Sequence, residues 1–576
     1  MLPLSILIAE RLKKAIVETY PTLSDREITV RRTDNPRFGD YQSEFALSIA
    51  KTVGQAPLQI AQTILAKVDR TGLLSNTEAV KPGFMNLTVS TDYLGYFATS
   101  IAESGLTNTR TILSGKKIVL DYSSPNVAKS MHIGHFRATI TGDALCRMLR
   151  HAGASVISDN HIGDWGTQFG KLIVSYNRWS DLENYSAAPV KELERLYQKF
   201  EKEKTDELEN SARNELVKLQ QGDPDNTRLW REFTAHSLAE FNAIYSRLGI
   251  QFDYIYGESH YNSMLPKVAS TLENTGIAFI DQGALIVDTE TRYQIHGPVI
   301  VRKQDGGFGY AATDLATLMF RLDSWHPDEI IYVTDSRQRD HFKSVFAIFS
   351  EWQKNHAMGL RHVFFGSIKA PDGRSFSTRE GNVVLFNELL DEAITRARQA
   401  VEQKNPSLSE AEKKHIADIV GIASLKYAEL NHDLKTDTLF DWNRMLSFEG
   451  NTAPYLLYTY ARARSVIRKH DETFGSIPLP NQVNLQVEQE KNMLLMADSF
   501  PIKLAQAVSD LKPNHITEYV YLFAAEFNVY YNRNDCPILR EADAKARISR
   551  LFFYHLVCNY LRTCLQLLGI ETLEKM

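Results

Sequence analysis

The spacing of hydrophobic and polar positions divides the chain into three stretches. Residues 1 to about 110 mix apolar repeats of helical period (MLPLSILIAERLKKAI, ALSIAKTV, APLQIAQTILAKV) with short β-type runs (REITVRR, FMNLTVS). They close on the turn-rich ESGLTNTR, which predicts a small α+β domain ending there. At Lys116 the pattern changes to KKIVLDY, the breaker SSPN, a helical FRATITGDALCRMLRHAG and a second apolar run, SVISDN. Strand, turn, helix and strand form a βαβ unit, which implies a parallel sheet with its ligand at the carboxyl ends of the strands. EIIYVTDS and HVFFGSI extend that sheet beyond a helical insertion at about 175–250. The highly charged part of the insertion, KELERLYQKFEKEKTDELENSARNELVKLQ, reads as a solvated helical face. From about 390 onward nearly everything is amphipathic helix, broken at PNHITEY and NDCPILREAD, which predicts an all-α bundle. The expected class is α/β. A parallel-sheet domain with helical insertions (111–390) is flanked by a small α+β N-terminal domain (1–110) and an all-α C-terminal bundle (391–576).

Composition narrows the function classes. The 576 residues are too many for one core, and 43% apolar with 23% charged residues is ordinary for globular protein. A net charge of −5 excludes a protein that coats nucleic acid by global charge, while leaving room for a local basic face. Cys146, Cys536, Cys558 and Cys564 have no C-x-x-C or metal-ligand spacing, which suits a reducing compartment. The charges of the first segment follow its apolar run, unlike a signal peptide, and no stretch reaches the roughly 18 apolar residues of a membrane span. The expected location is the cytoplasm, with no membrane partner.

The chemistry concentrates in SPNVAKSMHIGH, between the first strand and its helix. Pro125 and Gly134 suit a tight turn there, and Gly134 lets a flat base or a phosphate approach the backbone. His132 and His135 fall beside a helix N-terminus, where free N–H groups and the dipole favour phosphate. Both imidazoles can donate to phosphate oxygens whose charge rises in a transition state. A two-histidine metal site and chance are the alternatives, but the i, i+4 spacing and intervening acid of H-E-x-x-H are missing. In the bundle, PYLLYTYARARSVIRKH interleaves cations with rings that suit single-stranded RNA, although such a helix also arises from core packing plus a solvated face.

HIGH after the first strand of a Rossmann sheet resembles the signature of class I aminoacyl-tRNA synthetases. DYSSPNVAKSMHIGHFRATITGDAL followed by NHIGDWGTQFG is similar to the arginyl-tRNA synthetases in particular. The likeness runs along the chain, through FGDYQSEFALSIAK and PGFMNLTVS at the start to RMLSFEGNTAPYLLYTYARARSV and LQLLGIETLEKM at the end. It implies an N-terminal additional tRNA-binding domain, a Rossmann-type catalytic domain and a helical anticodon-binding domain. It further implies an arginine pocket on Asp121, Asn126, His132, Tyr310, Asp314 and Gln338. The chemistry suits a guanidinium, which wants a carboxylate fork and a planar partner. Tyr310 and Asp314 share a helix face at i, i+4, although alone they would read as an ordinary exposed pair.

The second class I signature, the lysine-rich KMSK loop, departs here: the matching DGRSFSTREGNVV has Ser375 and Thr378 at the lysine positions. Gly373 and Gly381 still suit a closing loop, which also carries Arg374 and Arg379. The resemblance implies that Lys129 takes over from the missing lysine. Phosphate stabilisation therefore falls to Lys129, His132 and His135, with Arg379 as helper; Pro125 and Gly134 complete the ATP site. ATP is a substrate, and Mg²⁺ is expected mainly on ATP oxygens and water, with no protein-held metal. The expected reaction is arginine activation by ATP and transfer to tRNA(Arg), carried out by a monomer. As in the family, activation is expected only with tRNA bound. Tyr455, Arg462 and Met576 are the candidate anticodon contacts, although the first two could equally be helix packing and a surface charge. Two rivals stay open: a HIGH-type nucleotidyltransferase acting on a small molecule, against which the long helical region counts, and a synthetase-like tRNA-binding protein without catalysis.

Overall fold

The computed structural model describes residues 1–33, 35–369, 373, 384–535 and 537–576. Its centre is a four-stranded parallel sheet. Lys117–Tyr122 pairs with Ser155–Asp159 on one side and Glu329–Asp335 on the other, and Glu329–Asp335 pairs with Gly359–Phe365. The two central strands, Lys117–Tyr122 and Glu329–Asp335, are buried along most of their length, as parallel strands require, whereas Gly359–Phe365 at the edge is only partly covered. The chain leaves the first strand toward one edge and returns to build the other. The topological switch therefore lies between Lys117–Tyr122 and Glu329–Asp335, where a ligand crevice opens at the carboxyl ends.

Helix Ile133–His151 makes the first crossover and buries Phe136, Ile140, Leu145 and Leu149. The insertion comprises helices Leu182–Ala187, Pro189–Lys202, Asp206–Gln220 and Pro224–Leu248. Its charged stretch is more than a solvated face, because Leu193, Leu196, Phe200, Leu208 and Ala212 are buried along it. A three-stranded antiparallel sheet, Phe279–Asp281, Ala284–Val287 and Val299–Arg302, was not legible from periodicity. Its strands of three or four residues are too short to show alternation.

The N-terminal part packs helices Leu4–Thr19, Phe45–Val53 and Pro57–Lys67 with an antiparallel sheet. Of REITVRR only Arg31–Arg32 is strand, whereas FMNLTV forms the strand Phe84–Val89. The expected turn at ESGLTNTR is instead helical: Ala98–Thr107 is α-helix and Asn108–Thr111 a 3₁₀ turn. Its small residues serve close approach, since a Cβ on Gly105 would fall 2.3 Å from the Ala497 carbonyl oxygen.

The C-terminal part is a bundle of Glu410–Leu430, Ala453–Phe474, Glu488–Asp510, Asn514–Tyr531 and Ala544–Leu567. The break near PNHITEY falls at its first residues, and NDCPILREAD separates the last two helices. Position 390, the expected division, lies within helix Phe386–Lys404. One continuous apolar core joins the N-terminal helices, the first crossover helix and the bundle. No helix among the described residues is long and apolar enough to cross a membrane.

Candidate active site

The first crossover helix starts at the switch point, and its two histidines cap it. His132 is extended (φ −124, ψ 177), so its ring folds over the first turn. Its Nδ1 accepts the Gly134 N–H at 3.0 Å, while Nδ1 of His135 accepts the His132 N–H at 3.1 Å. With both Nδ1 atoms accepting, the proton of each neutral ring lies on Nε2. Burial, then Arg337 and Lys129, lower the His132 pKa; burial, then His132 and Lys129, push His135 down to about 3. Both rings are thus neutral donors at physiological pH. The expectation of free N–H groups at this helix end is corrected by the same geometry. The Ile133 N–H donates to the Val384 carbonyl, Gly134 to the His132 ring and His135 to the His132 carbonyl. Gly134 is needed for the ring itself, since a Cβ there would stand 2.8 Å from His132 Cε1.

The loop before the histidines interlocks with NHIGDWG. Val127 N–H donates to the Gly163 carbonyl and Gly163 N–H to that of Pro125, both at 3.0 Å. A Cβ on Gly163 would strike Asn126 Oδ1 at 2.2 Å, so only glycine fits beneath that amide. Ala128, at φ 61, donates its N–H to Ser237 Oγ of the insertion at 2.9 Å. Lys129 is half-buried, with Nζ 4.8 Å from the centroid of the Tyr197 ring.

A cavity of about 540 Å³ opens at the switch point. It gathers Asp121, Asn126, His132, Gly134, His135, Tyr310, Asp314 and Gln338 of the sequence expectations; Pro125 and Lys129 flank it without lining it. Arg379, with Arg374, Ser375, Thr378 and Gly381, lies outside the described residues. Asp121 is already engaged. Its Oδ1 accepts from Ser124 Oγ at 3.0 Å and its Oδ2 from Arg321 at 2.6 Å. Arg321, fully buried, also binds Asp159 at 2.7 Å, so Asp121 is one arm of an internal ion triad.

The far end of the cavity is acidic. Tyr310 opens helix Tyr310–Trp325 at the mouth, 77% exposed, and Asp314 lies one turn on, 2.5 Å from His341 Nε2. Burial pulls the His341 pKa down, but the hydrogen bond and charge of Asp314 outweigh it and the net shift is upward. Glu258, which the sequence reading missed, lines the same end. Burial, then the Asp314 and Asp164 carboxylates, push its pKa up to about 8. Arg337, His161 and His341 were missed as well. Only the NHIGDWG string, which contains His161, offered a signal.

A second concave site lies on the bundle, where Tyr455, Arg462 and Met576 line one cavity with Tyr458, Asn528 and Asn532. The Arg462 guanidinium lies 4.6 Å from the Tyr458 ring centroid and 4.7 Å from that of Tyr531. Tyr455 accepts a 2.8 Å hydrogen bond from Asn528 on its hydroxyl.

A parallel sheet carrying a neutral histidine pair at its switch point defines the class, and the family model described as "tRNA synthetases class I (R), catalytic domain" matches residues 100–442. An arginyl tRNA synthetase N-terminal domain matches 6–89, and a DALR anticodon-binding domain matches 456–576. The arginine–tRNA ligase of Fusobacterium nucleatum is 42% identical over 569 residues, 98% of each chain. That of Laribacter hongkongensis is 37% identical over the whole of both. Among solved structures, the Plasmodium falciparum arginyl-tRNA synthetase matches with a TM-score of 0.82 at 26% identity, covering 100% of both chains. The Thermus thermophilus enzyme, at 22% identity and TM-score 0.81, covers 99% of this chain and shares the fold. The chain belongs to the arginyl-tRNA synthetase family. The family function is aminoacylation of tRNA(Arg).

Proposed function

We propose that the switch-point cavity activates arginine with ATP, and that the arginyl group then passes to the terminal adenosine of tRNA(Arg). The observation carrying this reading is the opposed chemistry of one cavity: neutral Nε2–H donors at the helix start and two acidic side chains, Glu258 and Asp314, at the other end. The acidic end suits a guanidinium, whose charge would favour the ionised form of Glu258 beside an Asp314 already bonded to His341. Tyr310 covers the guanidinium plane, while Gln338 and Asn126 take the remaining polar groups. Lysine would leave part of that set unsatisfied.

In the first step an oxygen of the arginine carboxylate attacks the ATP α-phosphorus, the α–β anhydride bond breaks and pyrophosphate leaves. His132 and His135 donate from Nε2 to oxygens whose charge grows, and Lys129 supplies the cation. Arg379 assists from the loop, and Pro125 and Gly134 border the nucleotide. In the second step a ribose hydroxyl of the tRNA attacks the arginyl carbonyl and AMP leaves. No protein nucleophile takes part; the chain positions reactants and stabilises charge.

Among the described residues no group of three or more His, Cys, Asp or Glu gathers to hold an ion. Of the four acidic side chains that line the cavity, Asp121, Asp314 and Asp335 already serve Arg321, His341 and Arg337. Mg²⁺ is expected mainly on ATP oxygens and water, where it would neutralise phosphate charge. The cavity on the bundle, through Tyr455, Arg462 and Met576, takes the anticodon loop, and residues 1–110 touch the outer corner of the tRNA. Residues 111–390 form the catalytic domain and 391–576 the anticodon-binding domain. We read the protein as a cytoplasmic monomer that activates arginine only with tRNA bound. Charging of tRNA(Arg) and tRNA(Lys) with radiolabelled arginine and lysine tests the substrate assignment. Acid-precipitable label is expected only for arginine on tRNA(Arg), and lysine charging or no charging contradicts it.

A further inference from the structure

Lys129 is held in an unusual way for a cation beside a phosphate site. Its backbone is fixed: the preceding residue, Ala128, is left-handed and tied to Ser237, and Val127 is tied to Gly163. Only the four-carbon stem remains free, and a lysine stem carries considerable rotamer entropy. Among the described residues no ion pair or hydrogen bond holds the ammonium. What it meets is the face of Tyr197, 4.8 Å away, on the insertion helix Pro189–Lys202.

The ring is itself secured. Glu201 lies one turn along the same helix and pairs with Lys171 of helix Thr167–Trp179 at 2.6 Å, which ties the helix that carries the ring to its neighbour. From that place the ammonium is close enough to His132 and His135 to disfavour protonation of both. The type of partner matters. A carboxylate would hold Lys129 but cancel its charge, whereas an aromatic face attracts a cation without neutralising it, and weakly enough to yield to a phosphate.

We infer that Tyr197 is the positioning residue for Lys129: its ring orders the ammonium at the flank of the histidine pair with its charge unspent. The inference rests on the phosphate role proposed for Lys129. It also gives the helical insertion a part in amino-acid activation, since Tyr197 stands on the insertion helix Pro189–Lys202.

The test is tRNA-supported exchange of pyrophosphate into ATP by Y197L, Y197F, K129M and the double variant K129M/Y197L. Loss of the aromatic face in Y197L is expected to lower kcat about three- to tenfold, with the KM for arginine moving less than about twofold. Y197F, which keeps the face and loses the hydroxyl, is expected to stay within about twofold of the parent. Acting through Lys129, Y197L should add less than about twofold once Lys129 is gone. Thermal midpoints check folding, and Tyr197→Met replaces Y197L if that variant unfolds. A Y197L rate equal to the parent's overturns the inference, as does a Y197F loss equal to that of Y197L. So does the full Y197L loss persisting in the K129M background. K129M at the parental rate would instead remove the phosphate role of Lys129 itself, and the inference with it.

Discussion

His132 and His135 cap one helix together: the His132 N–H donates to Nδ1 of His135 at 3.1 Å, and the two ring centroids lie 4.1 Å apart. That contact fixes the tautomer of His135, and the Gly134 N–H on Nδ1 of His132 fixes the other, so both Nε2–H groups are donors. One pair of residues thereby serves both the fold and the chemistry.

Replacing His135 by Ala removes a cap acceptor and a donor. The expected loss is about 10²-fold or more in kcat of pyrophosphate exchange, as for other donors to a developing anion, with about 1 kcal/mol of stability. Stopped exchange assays and urea titration read the two effects.

The histidines also predict a pH response. Both pKa values are lower in the folded chain than in the unfolded one, so the unfolded chain binds more protons below the ordinary histidine range. Stability contributed by the neutral rings is present above about pH 6.5 and falls as the pH drops, for His135 down to about 3. His135→Gln should flatten the decline of the thermal midpoint below pH 6.5. An unchanged profile would contradict the burial of an uncharged ring.

Glu258 carries the opposite sign. Its pKa is raised to about 8, so ligand-free stability falls as the pH rises from the ordinary glutamate range through that value. Glu258→Gln is expected to stabilise the ligand-free protein at pH above 8 and to raise the KM for arginine about ten- to hundredfold, with the KM for ATP unchanged. Midpoints with and without arginine check it, and arginine should stabilise the variant less than the parent.

Arg321→Met would strand Asp121 and Asp159, both buried, without their shared cation. A loss of about 3–5 kcal/mol in urea unfolding is expected.

In the bundle, Arg462→Ala is expected to raise the KM for tRNA about tenfold while leaving the KM for arginine in saturating tRNA unchanged. Steady-state charging kinetics separate the two.

Local features were legible in the sequence and tertiary ones were not. The strand Lys117–Tyr122, its turn and the histidine-capped helix follow one another directly, so their order alone placed His132 and His135 at a strand end. Tyr310 and Asp314 came from the family resemblance, and helical spacing added only that they share one face. Glu258 had no such cue; its meaning comes from Asp314 and Asp164, which only folding brings near. The N–H of Ile133 was misjudged for the same reason, since its acceptor, Val384, is remote in the chain. ESGLTNTR misled because small residues signal turns in sequence, whereas here Gly105 admits a neighbouring helix. Family resemblance, not periodicity, supplied Gln338, Tyr455 and Met576.

The central claim is that this cavity activates arginine and does so in concert with bound tRNA. Arginine-dependent exchange of pyrophosphate into ATP, measured with and without tRNA(Arg) at saturating Mg²⁺, tests it most directly. Exchange with arginine, and only when tRNA is present, is the predicted result. Exchange without tRNA would keep the ligase and contradict the coupling. No exchange under either condition, in a protein that still binds tRNA, would contradict the catalytic assignment of the cavity itself.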